Sequence, residues 1–198
     1  MDFHYSPHDW LVNLNKSVLA SFCKKDNQEI DIKRGLPAAM ALFDRTVEKN
    51  ASIFWVGNGG SSAMCSHLAQ DALNKLGAKS IYLGDTALMT CMANDFGYEN
   101  VYTRPLEVMA GPGDLLIAVS SSGNSANIVN SADLAIRKNM TLITLSGFKK
   151  DNKLWNHKSD LSFFIEADLY GIVELGHEAL LHSVIESLWL EKTGKKQR

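Results

Sequence analysis

Two short phrases of the sequence combine glycine, serine and asparagine in an order that can hold an anion: Gly57-Asn58-Gly59-Gly60-Ser61-Ser62 and Ser120-Ser121-Ser122-Gly123-Asn124-Ser125. Each follows an apolar run that reads as a strand, Ile53 to Val56 and Leu115 to Val119, and each precedes a stretch of helical periodicity. Glycine lets the backbone come close to a ligand. The first N–H groups of a helix have no intrahelical partner and carry partial positive charge. Serine hydroxyls add donors without bulk. Two such turns point to a phosphorylated small molecule held at the carboxyl ends of neighbouring strands. Ser120, Ser122 and Ser125, with the backbone N–H groups of Gly123 and Asn124, form the expected clamp, and Ser121 lies in the same turn. Gly59, Gly60 and Ser61 face them from the other turn. Helix capping through Ser122 or Asn124 would use the same donors.

A second kind of chemistry sits just downstream. His67 and Asp71 are four residues apart on a helical stretch, so they share a face. Imidazole plus carboxylate at this spacing suits a divalent metal such as zinc, and equally suits proton transfer. A plain contact on a helix surface uses the same spacing.

The elements that must position these groups alternate. Helical patterns over 8–24 and about 29–49 come first, with no strand expected between them, and form an N-terminal arm. Strand-like runs follow at 52–56, 79–83, 114–119, 140–145 and 161–165. Helical segments lie between them at 61–76, about 87–110 and 125–138, and a long final helix covers about 171–192. Alternating strand and helix implies an α/β fold, a doubly wound five-stranded parallel sheet with helices on both faces. The flavodoxin-like order 2-1-3-4-5 is expected. No linker divides the chain, so residues 1–198 are expected to form one domain, with 1–50 as the arm and 51–198 as the core.

The chain has 198 residues, 45% hydrophobic and 21% charged, which suits one folded unit with a sizeable core. A formal net charge of −2 points to neither a nucleic-acid partner nor a membrane surface. The basic tail from Lys192 to Arg198 reads as a solvated terminus. Three cysteines, Cys23, Cys65 and Cys91, show no paired spacing, and the opening Met1-Asp2-Phe3-His4 lacks a secretory pattern. The expectation is a cytoplasmic protein.

These motifs resemble the sugar isomerase (SIS) family, and within it the phosphoheptose isomerases. The family's first turn, Gly-Asn-Gly-Gly-Ser, is followed by a helix with a His and an acid four residues on, matched here by Gly57 to Ser61, His67 and Asp71. Its second turn, Ser-Thr-Ser-Gly-Asn-Ser, is matched by Ser120 to Ser125 with Ser121 in place of Thr. Its Asn-Asp-Tyr-Gly is matched by Asn94-Asp95-Phe96-Gly97, and a Gln and a His eight apart on its last helix by Glu174 and His182. Three departures stand out. Asp71 replaces Glu, Glu174 replaces Gln, and Tyr170-Gly171-Ile172-Val173 replaces an Asp-Arg-Ile pattern.

The resemblance implies aldose–ketose isomerisation of a phosphorylated sugar, by analogy sedoheptulose 7-phosphate to a heptose 7-phosphate for surface polysaccharide. It also implies a homotetramer and a zinc ion held among His67, Asp71, Glu174 and His182. Asp71 is expected as the base and His182 as the acid. Asn58, Asp85, Asn94 and Asp95 are expected near the substrate, although Asp85 also suits an N-cap and Asp95 a structural turn. Eight residues of helix rise about 12 Å, so Glu174 and His182 cannot clasp one ion on a straight helix. Either the first turn is loosened or the two serve different copies of the site. His177 and Glu178 are their rivals. Another sugar-phosphate substrate, or a non-catalytic SIS scaffold such as a replication-initiator-binding factor, remains the alternative.

Overall fold

The computed structural model describes residues 5–194; Met1 to His4 and the last four residues of the basic tail lie outside the described residues. The chain runs α1 (Pro7–Leu19), β1 (Phe22–Lys25), β2 (Gln28–Ile30), α2 (Ile32–Glu48), β3 (Ser52–Gly57), α3 (Gly60–Leu76), β4 (Lys79–Tyr82), α4 (Thr86–Phe96), α5 (Thr103–Met109), β5 (Leu115–Ser120), α6 (Ala126–Arg137), β6 (Thr141–Gly147), β7 (Leu161–Ile165) and α7 (Tyr170–Thr193). One sheet of seven strands has the order β2-β1-β7-β6-β5-β3-β4.

The five strands expected from periodicity form its parallel part, β4-β3-β5-β6-β7, in the expected order. Both faces of that part are covered, so its strands read as unbroken apolar runs rather than as alternations. Along β3, Ile53 and Trp55 join the core beneath α2, α3 and α7, while Phe54 and Val56 join the core beneath α5 and α6. All four are fully buried.

The arm differs from expectation. It is not wholly helical: residues 22–30 form a hairpin whose first strand pairs antiparallel with β7. Its two-residue turn, Asp26-Asn27, has both residues at positive φ (50° and 64°). That conformation matches the twist of a tight hairpin and suits Asp and Asn. The hairpin covers the β7 edge, which would otherwise present unpaired backbone. The segment near 87–110 also breaks. Gly97, at φ 83°, stops α4, and a short 3₁₀ turn at Tyr98–Asn100 leads to α5.

Strand order reverses between β3 and β5, which are direct neighbours. A crevice opens beyond the strand ends at such a point. The two glycine–serine turns lead from β3 into α3 and from β5 into α6.

Candidate active site

At the switch point lies a small cavity of about 140 Å³ lined by Asn58, Ser61, Ser120, Ser121, Ser122, Ser125, Tyr170 and Glu174. Hydroxyls dominate it. Ser120 Oγ donates to Ser125 Oγ at 3.2 Å and lies 3.4 Å from Ser122 Oγ. The Ser121 hydroxyl is buried with no hydrogen-bond partner among the described residues. A buried hydroxyl left unpaired is costly, and an anion in the cavity would satisfy it. Among the described residues no Lys, Arg or His lines the cavity, so an anion held by them would depend on hydroxyl and helix-terminal donors.

Two backbone donors assigned to the clamp from sequence are already used. Gly123 N–H donates to Ser120 O at 2.8 Å, and Asn124 N–H to Ser122 Oγ at 3.3 Å. Gly123 takes φ 65°, and a Cβ there would fall 2.0 Å from Asn152 Oδ1. Asn152 is 2% exposed and anchors the loop that follows β6, where its Oδ1 accepts from Trp155 N–H at 2.8 Å. The loop in turn grips the serine turn. Leu154 N–H donates to Gly123 O at 3.0 Å, and Lys153 N–H to Asn124 Oδ1 at 3.1 Å. Gly60 makes room for Glu174, since a Cβ there would lie 2.5 Å from Glu174 Oε2.

A second cluster forms where α3 packs on α7. His67 and Asp71 face Glu178, His182 and Glu186. The His67 and His182 ring centroids are 5.1 Å apart. His182 Nδ1 lies 3.5 Å from Asp71 Oδ2, and its Nε2 lies 3.9 Å from Glu178 Oε1. Asp71, only 8% exposed, also meets the ammonium of Lys75 at 2.9 Å, and that ammonium reaches Glu186 at 2.8 Å. Burial opposes the Lys75 charge, yet its hydrogen bonds to Glu186 and Asp71 push its pKa above the usual value.

The four residues expected to share one metal are therefore split. α7 is helical from Tyr170 onward, so Glu174 sits at the serine cavity and His182 two turns further along. Two donor sets lie within 4.8 Å: His67 with Glu178 and His182, and Asp71 with His182 and Glu186. Two imidazoles and a carboxylate are a donor set that zinc accepts, leaving a position open. In the second set the Lys75 ammonium already bridges the two carboxylates.

Other expected residues have hydrogen-bond partners within the chain. Asp85 caps α4, accepting from Leu88 N–H at 2.9 Å. Asn94 donates to Asp95 at 2.9 Å on the last turn of α4, and neither residue lines the cavity. His177, the rival to Glu174, is fully buried and donates Nε2–H to Ser146 O at 2.9 Å. Burial pulls its pKa down to about 4. Sequence reading missed Asn127 and Tyr98, which hold Asn58, and Lys75, which holds Asp71. Lys75 could have been found at i+4 from Asp71, whereas Asn127 meets Asn58 only through the fold.

Comparison with known proteins gives the following likenesses. The sequence pattern of the SIS domain family matches residues 16–147. A phosphoheptose isomerase of Yersinia pestis (strain Pestoides F) is 35% identical over 141 residues, covering 69% of this chain and 71% of that protein. The enzyme so named in Yersinia enterocolitica is 34% identical over the same length. The solved phosphoheptose isomerase of Neisseria gonorrhoeae superposes with a TM-score of 0.74 at 25% identity, covering 78% of this chain and 85% of that one. That of Francisella tularensis superposes at 0.73 with 21% identity, covering 91% and 95%, a likeness of fold.

Proposed function

The chain belongs to the SIS domain family and stands among its phosphoheptose isomerases; from this we propose that it interconverts a ketose and an aldose phosphate, namely sedoheptulose 7-phosphate and D-glycero-D-manno-heptose 7-phosphate. The observation that carries the proposal is the pairing of a serine-lined anion cavity with an imidazole–carboxylate cluster on the helices beside it. The scaffold reading has less support, because the sequence relatives at 34–35% identity are named phosphoheptose isomerases and because His67, Asp71 and His182 stay together.

The reaction moves one proton from C1 to C2 through an enediol, with no external redox partner. Ser61, Ser120, Ser121, Ser122 and Ser125 bind the phosphate and fix the sugar's reach. Asp71 is the base that takes a C1 proton, exchanges it with solvent while the enediol is held, and delivers a proton to C2, while the Lys75 ammonium compensates its charge. His182 hands a proton to the C2 carbonyl oxygen as it becomes a hydroxyl, and recovers one from the C1 hydroxyl as C1 becomes the aldehyde. His67, Glu178 and His182 would hold a zinc ion, whose Lewis acidity at the carbonyl would replace the proton from His182.

Glu174 stands at the serine cavity and His182 two turns away, which supports a site shared between copies of the chain. α1 has no buried residue and exposes Leu11, Val12 and Leu19. We assign that apolar face to contacts within a homotetramer. Cys23, Cys65 and Cys91 are all free, which agrees with a reducing cytoplasm.

The test is ³¹P NMR of purified protein with zinc and sedoheptulose 7-phosphate. A second phosphomonoester resonance should grow to equilibrium. No conversion of this substrate would overturn the assignment.

A further inference from the structure

Asn58 is the one amide side chain among the serines that line the cavity at the first turn, and its hydrogen bonds are unusual. Its Nδ2 donates to Asn127 Oδ1 at 2.9 Å, and Asn127 Nδ2 donates back to Asn58 Oδ1 at 2.9 Å. The Tyr98 hydroxyl donates to the same Asn58 oxygen at 3.1 Å. Asn127 lies on the first turn of α6 and is 2% exposed. The pair therefore joins the turn after β3 to the helix that begins at the second serine turn.

An amide oxygen has two lone pairs and an amide nitrogen two hydrogens. Both acceptor positions of Asn58 Oδ1 are taken, by Asn127 and Tyr98. One Nδ2 hydrogen is taken by Asn127. What Asn58 still offers a ligand is a single N–H donor. Turning either amide alone would set oxygen against oxygen and nitrogen against nitrogen at 2.9 Å. With both turned, the Tyr98 hydroxyl would lose its acceptor. An oxygen facing the cavity would repel an anion, so the orientation of this amide decides whether Asn58 helps or hinders phosphate binding.

We propose that Asn127 is a positioning residue for the anion site: with Tyr98 it locks the Asn58 amide so that it presents a donor, and holds the two serine–glycine turns in register. The proposal deepens the phosphate reading of the cavity and rests on it. It does not depend on which sugar is turned over.

The test is a double-mutant cycle on binding of inorganic phosphate, measured by calorimetry. The variants are Asn58→Ala, Asn127→Ala and the two together, with circular dichroism confirming the fold. Each single change should weaken phosphate binding roughly 10-fold, the low end for a hydrogen bond to a charged group. If Asn127 acts through Asn58, the double variant should bind no more weakly than Asn58→Ala alone. In ¹⁵N-edited spectra the Asn58 side-chain NH₂ pair should shift on adding phosphate in the wild type and lose that response in Asn127→Ala. Should that variant fold poorly, Asn127→Asp keeps the size while removing the donor to Asn58, and should weaken phosphate likewise. Wild-type affinity in folded Asn127→Ala, or losses that multiply in the double variant, would overturn the proposal and leave the phosphate reading standing. A wild type that binds no inorganic phosphate would overturn both.

Discussion

His177 makes a prediction about acid stability whose size follows from its surroundings. The ring is fully buried between α7 and the end of β6, where Nε2–H donates to Ser146 O at 2.9 Å. Its Nδ1 has no partner among the described residues. A second proton would have to sit on that buried nitrogen, so burial pulls the pKa from the ordinary 6.5 to about 4. In the unfolded chain the same imidazole takes up a proton below pH 6.5, whereas the folded chain resists until about 4. Stability is therefore lost as pH falls through that window, because the unfolded state binds more protons there. At pH 4.5 roughly 99% of unfolded rings but only a minority of folded ones carry the proton, a difference of roughly 2–3 kcal/mol. The assay is urea unfolding at pH 7 and pH 4.5 for the wild type and for His177→Gln, which keeps a donor but cannot titrate. Contributions from carboxylates are common to both proteins and cancel in the comparison. The wild type should lose roughly 2–3 kcal/mol more than the variant on acidification. Equal losses would refute the argument that a neutral His177 is built into the fold.

Three further outcomes are expected. Ser122→Ala with Ser125→Ala should weaken phosphate binding by roughly 2–4 kcal/mol in calorimetry with an unchanged circular dichroism spectrum, since hydrogen bonds to charged groups are strong and these share partners. Gly123→Ala should destabilise by about 1–3 kcal/mol or more in thermal unfolding, from an unfavourable φ and a clash with buried Asn152, and should also loosen the anion site. Asp71→Asn should lower turnover by about 10²–10⁴-fold while inorganic phosphate binds as before, separating the base from the clamp.

Much of the architecture was legible because both faces of the parallel sheet are covered. Strands such as Leu115–Ser120 then stand out as short apolar runs between glycine–serine turns and helical periods. The hairpin at 22–30 was hidden for the opposite reason. Its strands are three and four residues long, and their fit to the β7 edge is a contact distant in sequence. The Asp26-Asn27 turn was its only local sign. At the site, the serine turns were legible because strand, turn and helix adjoin in sequence. The Asn58–Asn127 pair was not, since 69 residues separate its members. Helix geometry set Glu174 apart from His182 unless the first turn were loosened, and the helix running unbroken from Tyr170 decided between the two. That Glu178 completes a donor set with His67 depended on how α3 packs against α7, which spacing on one helix does not reveal.

The central claim is that this chain carries a proton between two carbons of a sugar phosphate. The most direct measurement is solvent deuterium incorporation at C2 of the aldose formed when wild-type protein, zinc and sedoheptulose 7-phosphate are mixed in deuterium oxide. Label should enter C2 with turnover and fall by about 10²-fold or more in Asp71→Asn, as expected on losing a positioned base. Neither turnover nor label from the wild type, or undiminished label from the folded Asp71→Asn variant, would contradict the account.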